Sequence, residues 1–102
     1  MTINKMLEGG TVTFALDGKM DTWSAPELQD VLIPAFDETS SGGSVVLDFK
    51  KLAYISSAGL RVLFFGQKTA KEKNGSMKIT NASDEVKEIF RMTGFADILT
   101  IE

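Results

Sequence analysis

Apolar residues recur along this chain first with the period of a strand and then with that of a helix, and the two periods keep alternating. No other feature restricts the possible folds as much. Val12, Phe14 and Leu16 alternate with Thr11, Thr13 and Ala15, the pattern of a half-buried strand. Gly9-Gly10 just before it predicts a hairpin turn to a weaker strand around Ile3–Leu7. Ser24-Ala25-Pro26-Glu27 has the spacing of a capping box, with Pro26 in the first helical turn where a missing N–H is harmless. Leu28, Val31, Leu32 and Ala35 continue at helical spacing. Pro34 deletes one ladder bond and crowds the preceding turn, so the helix is expected to end or kink near Ile33.

The second half repeats the scheme. Ser40-Ser41-Gly42-Gly43 reads as a loop, and Val45-Val46-Leu47, closed by Asp48 and Phe49, as a strand covered on both faces. Past Lys50-Lys51 come a short stretch, Leu52–Ile55, and then Ser56-Ser57-Ala58-Gly59 at a helix start. Leu60, Leu63, Phe64 and Gln67 fall on one stripe with Val62 and Phe65 alongside; Lys68, Lys71, Glu72 and Lys73 form a solvated end, and Asn74-Gly75 stops the helix. Met77 and Ile79 mark another strand. Ser83 caps a third helix with Asp84 and Glu85 in its first turn, Val86, Ile89 and Phe90 inside, and Gly94 at its end. Ile98–Ile101 fits a terminal strand or a last half-turn. The order β-β-α-β-α-β-α-(β) predicts an α/β domain spanning 1–102, its sheet mostly parallel with an antiparallel hairpin edge.

Composition narrows the chemistry. At 102 residues, 43% apolar and 25% charged, the chain suits one globular core without disulfides. It has no cysteine and no histidine, which removes thiolate nucleophiles, most zinc sites and the usual base near neutral pH. No catalytic residue, metal or cofactor is expected. Eleven basic against fourteen acidic residues leave a net charge of −3, which argues against nucleic acid as a partner. No apolar run approaches the ~20 residues of a membrane span, and Met1-Thr2-Ile3-Asn4-Lys5 does not open a signal peptide, so a cytoplasmic location is expected. Neither G-x-x-x-x-G-K-[ST] nor G-x-G-x-x-G occurs.

The segment Tyr54-Ile55-Ser56-Ser57-Ala58-Gly59-Leu60-Arg61 stands out, with two hydroxyls where a buried strand meets a helix. One serine accounts for itself as an N-cap. Gly59 inside the helix costs about 1 kcal/mol relative to alanine, which suggests close approach to the backbone there. A phosphate on such a serine would meet unpaired N–H groups and the positive end of the helix dipole, so the fold could accept it while a docked partner could not.

These residues resemble the signature of STAS domains, specifically the stand-alone bacterial anti-sigma factor antagonists. Three further pieces match in order: Gly18-Lys19-Met20-Asp21 followed by Ser24-Ala25-Pro26-Glu27-Leu28, then Asn74-Gly75, then Phe90-Arg91-Met92-Thr93-Gly94-Phe95. The resemblance spans essentially the whole chain. It implies a single STAS-like domain with helices packed mainly on one face of a mixed sheet. It also implies a regulator rather than an enzyme, binding an anti-sigma factor that is also a serine kinase, switched off by serine phosphorylation and reset by a phosphatase. Matched through Gly59, and favoured by the expected cap position, the phosphoacceptor falls on Ser57. Family members often carry aspartate just before the acceptor; Ser56 stands here instead, which leaves it as the second candidate. Asp21 corresponds to an acidic residue near the acceptor, and equally reads as a turn residue before the helix. Thr22, Ala58, Gly59, Leu60 and Arg61 are the expected docking residues, although Leu60 also fits the core stripe and Arg61 a solvated helix face.

Two other functions compete. A non-phosphorylated STAS subunit of a transport or signalling assembly would have no need of an exposed hydroxyl at the helix start. A small hydrolase with Ser57 as nucleophile would need a lysine or carboxylate base, and Lys50 and Lys51 are the nearest lysines in sequence.

Overall fold

The computed structural model describes residues 1–39 and 43–102, so most of the loop expected at 40–43 lies outside the described residues. Strand β1 (Thr2–Glu8) turns at Gly9-Gly10 into β2 (Thr11–Met20), and Glu8 pairs with Thr11 across a two-residue loop. Both glycines have positive φ, 56° and 83°, the geometry that lets a tight turn follow the twist of its strands. Helix α1 (Ala25–Glu38) leads to β3 (Ser44–Ile55), α2 (Ser57–Glu72), β4 (Ser76–Thr80) and α3 (Asp84–Thr93), followed by a 3-10 turn over Phe95–Asp97. The sheet order is β1-β2-β3-β4; β1 runs antiparallel to β2, and β2, β3 and β4 are parallel. Of the strand or half-turn expected at Ile98–Ile101, the structure shows a single parallel bridge from Ile101 to Ile79; the 3-10 turn lies earlier, over Phe95–Asp97.

One face of the sheet carries the core. Val12, Phe14, Leu47, Phe49 and Ile79 are all sealed from solvent, beneath Leu32 of α1, Leu63 of α2 and Phe90 of α3. The rings of Phe49 and Phe90 pack with centroids 6.4 Å apart, seating the third helix on the same face. The alternate residues Thr13, Ala15, Val46, Asp48 and Lys78 are only partly covered. The third strand was expected to be covered on both faces; instead it is half-buried, because all three helices lie on one side. Among the described residues, no buried side-chain polar atom lacks a partner.

The third strand is also longer than its pattern suggests. Lys50-Lys51 does not end it. Ala15 pairs with Asp48 but Asp17 with Lys51, and Gly18 pairs with Leu52 but Lys19 with Tyr54. Each step inserts one extra residue on β3, so two bulges interrupt the alternation and expose Lys50-Lys51 and Ala53-Tyr54 in consecutive pairs. Leu52 and Ile55 are thereby returned to the core.

Helix α1 likewise runs through Pro34 to Glu38 rather than ending near Ile33. Pro34 and Asp30 are both exposed, so the carbonyl that loses its donor can turn to water, while Leu28, Leu32, Ala35 and Phe36 hold the helix on either side of the break. An interior proline costs a helix about 3 kcal/mol, offset by roughly 0.4–1 kcal/mol of reduced unfolded-chain entropy. Pro34→Ala is therefore expected to stabilise the protein by about 2–2.6 kcal/mol, read as a higher denaturant midpoint at unchanged slope; an unchanged or lower midpoint would contradict this account.

Candidate functional site

The ends of β2 and β3 and the start of α2 meet at one corner. Met20 pairs with Ile55 as the last step of the ladder, and the Ser56 N–H donates to the Met20 carbonyl at 2.8 Å, which closes the strands at the point where the helix begins. A Cβ on Gly59 would stand 2.8 Å from both Met20 Sδ and Ile55 Cγ1, closer than side chains tolerate. The close approach expected at this glycine is thus made by the protein's own core. Gly59 is buried and Leu60 is 5% exposed, so neither residue is offered to solvent.

The cap sits one residue earlier than expected. Ser56, extended at ψ 172°, is the N-cap of α2, and its Oγ accepts from the Gly59 N–H at 3.2 Å. Ser57 is the first helical residue and is exposed, with no hydrogen bond to its hydroxyl among the described residues. The two adjacent serines therefore divide the work. Ser56 Oγ is engaged with the backbone, whereas Ser57 Oγ stands free beside first-turn N–H groups that an α-helix cannot itself satisfy.

Ser24 departs from its expected role too. It occupies the N-cap position of α1 but makes no capping bond; its φ and ψ are already helical, −92° and −22°. Its hydroxyl, 6% exposed, turns back instead, accepting from the Asp21 N–H at 2.9 Å with the Lys19 carbonyl and Asp21 Oδ1 each 3.0 Å away as acceptors for its proton. Asp21 Oδ1 also accepts from the N–H groups of Trp23 at 3.0 Å and Ser24 at 2.9 Å. Asp21 thus acts as the turn residue that organises 21–24. Its carboxyl is held below the ordinary value of 3.8, first by the Ser24 N–H and then by the Ser24 hydroxyl; partial desolvation opposes them, and the Trp23 N–H and the positive N-terminus help.

The structure brings part of the expected docking set together. Thr22, Ala58 and Arg61 line one shallow groove between the starts of α1 and α2, together with Pro26 and Gln29. Trp23, which sequence reasoning passed over, is 88% exposed beside Thr22. It is the chain's only tryptophan, and it sits in a polar turn where no core pattern claims it; that placement was the available signal. Lys50 and Lys51 line a different groove, with Asn4, Asp17 and Asp48, so neither is placed as a base for Ser57. Among the described residues, no group of three or more carboxylates converges as a metal set would.

Two measurements test this geometry. Ser56→Ala removes the cap and is expected to cost about 0.5–2 kcal/mol, whereas Ser57→Ala changes an exposed position and is expected to stay within about 0.5 kcal/mol of the parent; the reverse order would put the cap back on Ser57. For Asp21 the folded-state value is depressed, so its contribution is complete above 3.8 and is lost as pH falls through the lower folded value. Stability measured from neutral pH to about pH 2 should therefore fall less steeply below that point in Asp21→Asn than in the parent; identical acid limbs would contradict the turn assignment.

The STAS domain family matches residues 2–102. The chain is similar to the anti-sigma-B factor antagonist of Bacillus subtilis (strain 168), with 33% identity over 84 residues that make up 82% of this chain and 74% of that protein. Its fold is similar to the crystal structure of an anti-sigma factor antagonist from Mycobacterium paratuberculosis, with a TM-score of 0.82 at 16% identity over 98% of this chain and 83% of that one. It also resembles the phosphorylated form of the Bacillus cell fate determinant SpoIIAA, with a TM-score of 0.75 at 16% identity over 99% and 91% of the two chains. At such identities the structural likeness speaks for the fold, and the sequence matches speak for kinship. The family match over nearly the whole chain and the sequence kinship agree with the four-stranded mixed sheet and its three helices on one face: this chain belongs to the STAS domain family, among its anti-sigma factor antagonists.

Proposed function

We propose that this protein binds an anti-sigma factor with serine kinase activity while Ser57 is unmodified, and that phosphorylation of Ser57 ends the interaction until a phosphatase removes the phosphate. The observation that carries this reading is the exposed, unengaged hydroxyl at the first position of α2, adjacent in the helix to Ala58 and one turn before Arg61. Ser56 is the lesser candidate, because its oxygen already accepts from Gly59 and esterification would disturb the cap. Asp21 supports the site from below by shaping the turn that presents Thr22 and Trp23. The location that suits such a partner is the cytoplasm; among the described residues, no helix is long and apolar enough to cross a membrane.

The switch follows from charge and bulk. A phosphate adds about −1.5 to −2 charges at neutral pH and three acceptor oxygens. The first-turn N–H groups and the helix dipole stabilise it in place, so the domain keeps its fold. Arg61 lies four residues on, exposed, within reach of pairing with it. A partner seated over Thr22, Ala58 and Arg61 would lose that cation and face a desolvated dianion. The protein contributes an acceptor and a docking face, and no chemistry of its own.

The kinase partner retained from the protein's own cells, given ATP, is expected to add one phosphate, located on Ser57 by intact mass and fragment ions. Ser57→Ala should stay bound to that partner in the presence of ATP, and folded Ser57→Asp should not bind it. Absence of added mass, phosphate on another residue, or undiminished binding by Ser57→Asp would overturn the proposal and favour a STAS subunit that works without phosphorylation.

A further inference from the structure

The second half of α2 carries a feature that the switch does not use. Phe64 and Phe65 were expected on or beside the buried stripe, yet each is 40% exposed, their ring centroids 6.0 Å apart. The core side of the helix is filled by Val62, Leu63, Gly66 and Ala70, which leaves both rings on the outer surface. Beside them lies a groove of about 270 Å³ lined by Phe64, Gln67, Lys68, Lys71 and Ile98. Gln67 Oε1 accepts from the Thr100 N–H at 3.2 Å, which pins the chain's last residues as the groove's second wall. Ile98 is 45% exposed, so apolar surface faces the groove from both walls.

The lining of the groove carries two cations, Lys68 and Lys71, and no carboxylate, on a chain whose net charge is −3. Among the described residues, neither lysine forms an ion pair, so both are available to a partner. The volume lies below the roughly 300–1,000 Å³ of small-molecule sites and suits one or two inserted side chains. Two cations on an acidic protein are too few for a phosphate backbone. We infer that this groove docks an acidic amphipathic segment of a partner protein, with an apolar anchor against Phe64 and Ile98 and carboxylates paired to Lys68 and Lys71. The surface lies on the far half of α2 from Ser57, so it works independently of the phosphorylated corner.

The test uses the isotope-labelled protein and two synthetic helical peptides that share one leucine face and differ only in carrying glutamates or lysines opposite. The glutamate peptide is expected to shift the amide signals of Phe64, Gln67, Lys68, Lys71 and Ile98. Its affinity should fall at least tenfold in the double variant Lys68→Glu and Lys71→Glu, whose amide spectrum should otherwise remain that of the folded domain because both positions are exposed. Ser57→Asp should bind this peptide as the parent does, which separates a failure here from a failure of the switch. Equal shifts with both peptides, no localised shifts, binding only to vesicles of phosphatidylglycerol, or the same shifts on raising protein concentration alone would each overturn the inference.

Discussion

The seating of the first turn of α2 against the ends of β2 and β3 is the contact on which the rest of this molecule depends. Gly59 allows it, since any side chain there would strike Met20 and Ile55, and the Ser56 N–H to Met20 carbonyl bond ties strand to helix at the same point. Once the helix is seated, the position of every residue in its first turn follows. Ser56 faces back to the backbone as cap, Ser57 faces out, and Leu60 is driven into the core. The exposed hydroxyl is thus a consequence of packing, its backbone placed between a capping bond and a closed ladder.

The neighbouring turn is held by a different interaction with the same outcome. One carboxylate oxygen of Asp21 gathers two backbone N–H groups, and Ser24 Oγ, buried beside it, accepts a third. A loop of four residues is thereby fixed without a hydrophobic core of its own, and it can leave a tryptophan almost wholly in water. The order is set internally, and the outward side chains remain available.

Much of this architecture was legible in the residues. Gly9-Gly10 demanded a tight hairpin, Ser83 the cap of α3, and Asn74-Gly75 the end of α2; in each case the device acts within a few residues and needs no partner elsewhere in the fold. Asn74, at φ 58°, and the Gly75 N–H to Ala70 carbonyl bond at 2.9 Å close α2 as that local chemistry requires. The departures share one physical reason. Pro34 predicts an end or a kink near Ile33; the helix does not end there, because burial on both sides of the proline outweighs one lost bond. Lys50-Lys51 was read as a strand end, but pairing with β2 carried the strand on through two bulges. Ser24 matched a capping box, yet Asp21 offered its hydroxyl better partners behind it than the helix did ahead.

By itself the sequence determined the alternation of strands and helices, the hairpin edge, the local caps and the region where two serines meet a helix, since all of these are written in short-range periodicity and turn chemistry. Only the tertiary structure decided which serine caps and which is free, which face of the sheet is covered, and that the aromatic pair of α2 points outward. Those outcomes depend on which surfaces meet across the fold. A one-residue shift at a helix start, or a rotation of about 100° per residue around its axis, reassigns a side chain from core to solvent without altering the pattern that announced the helix.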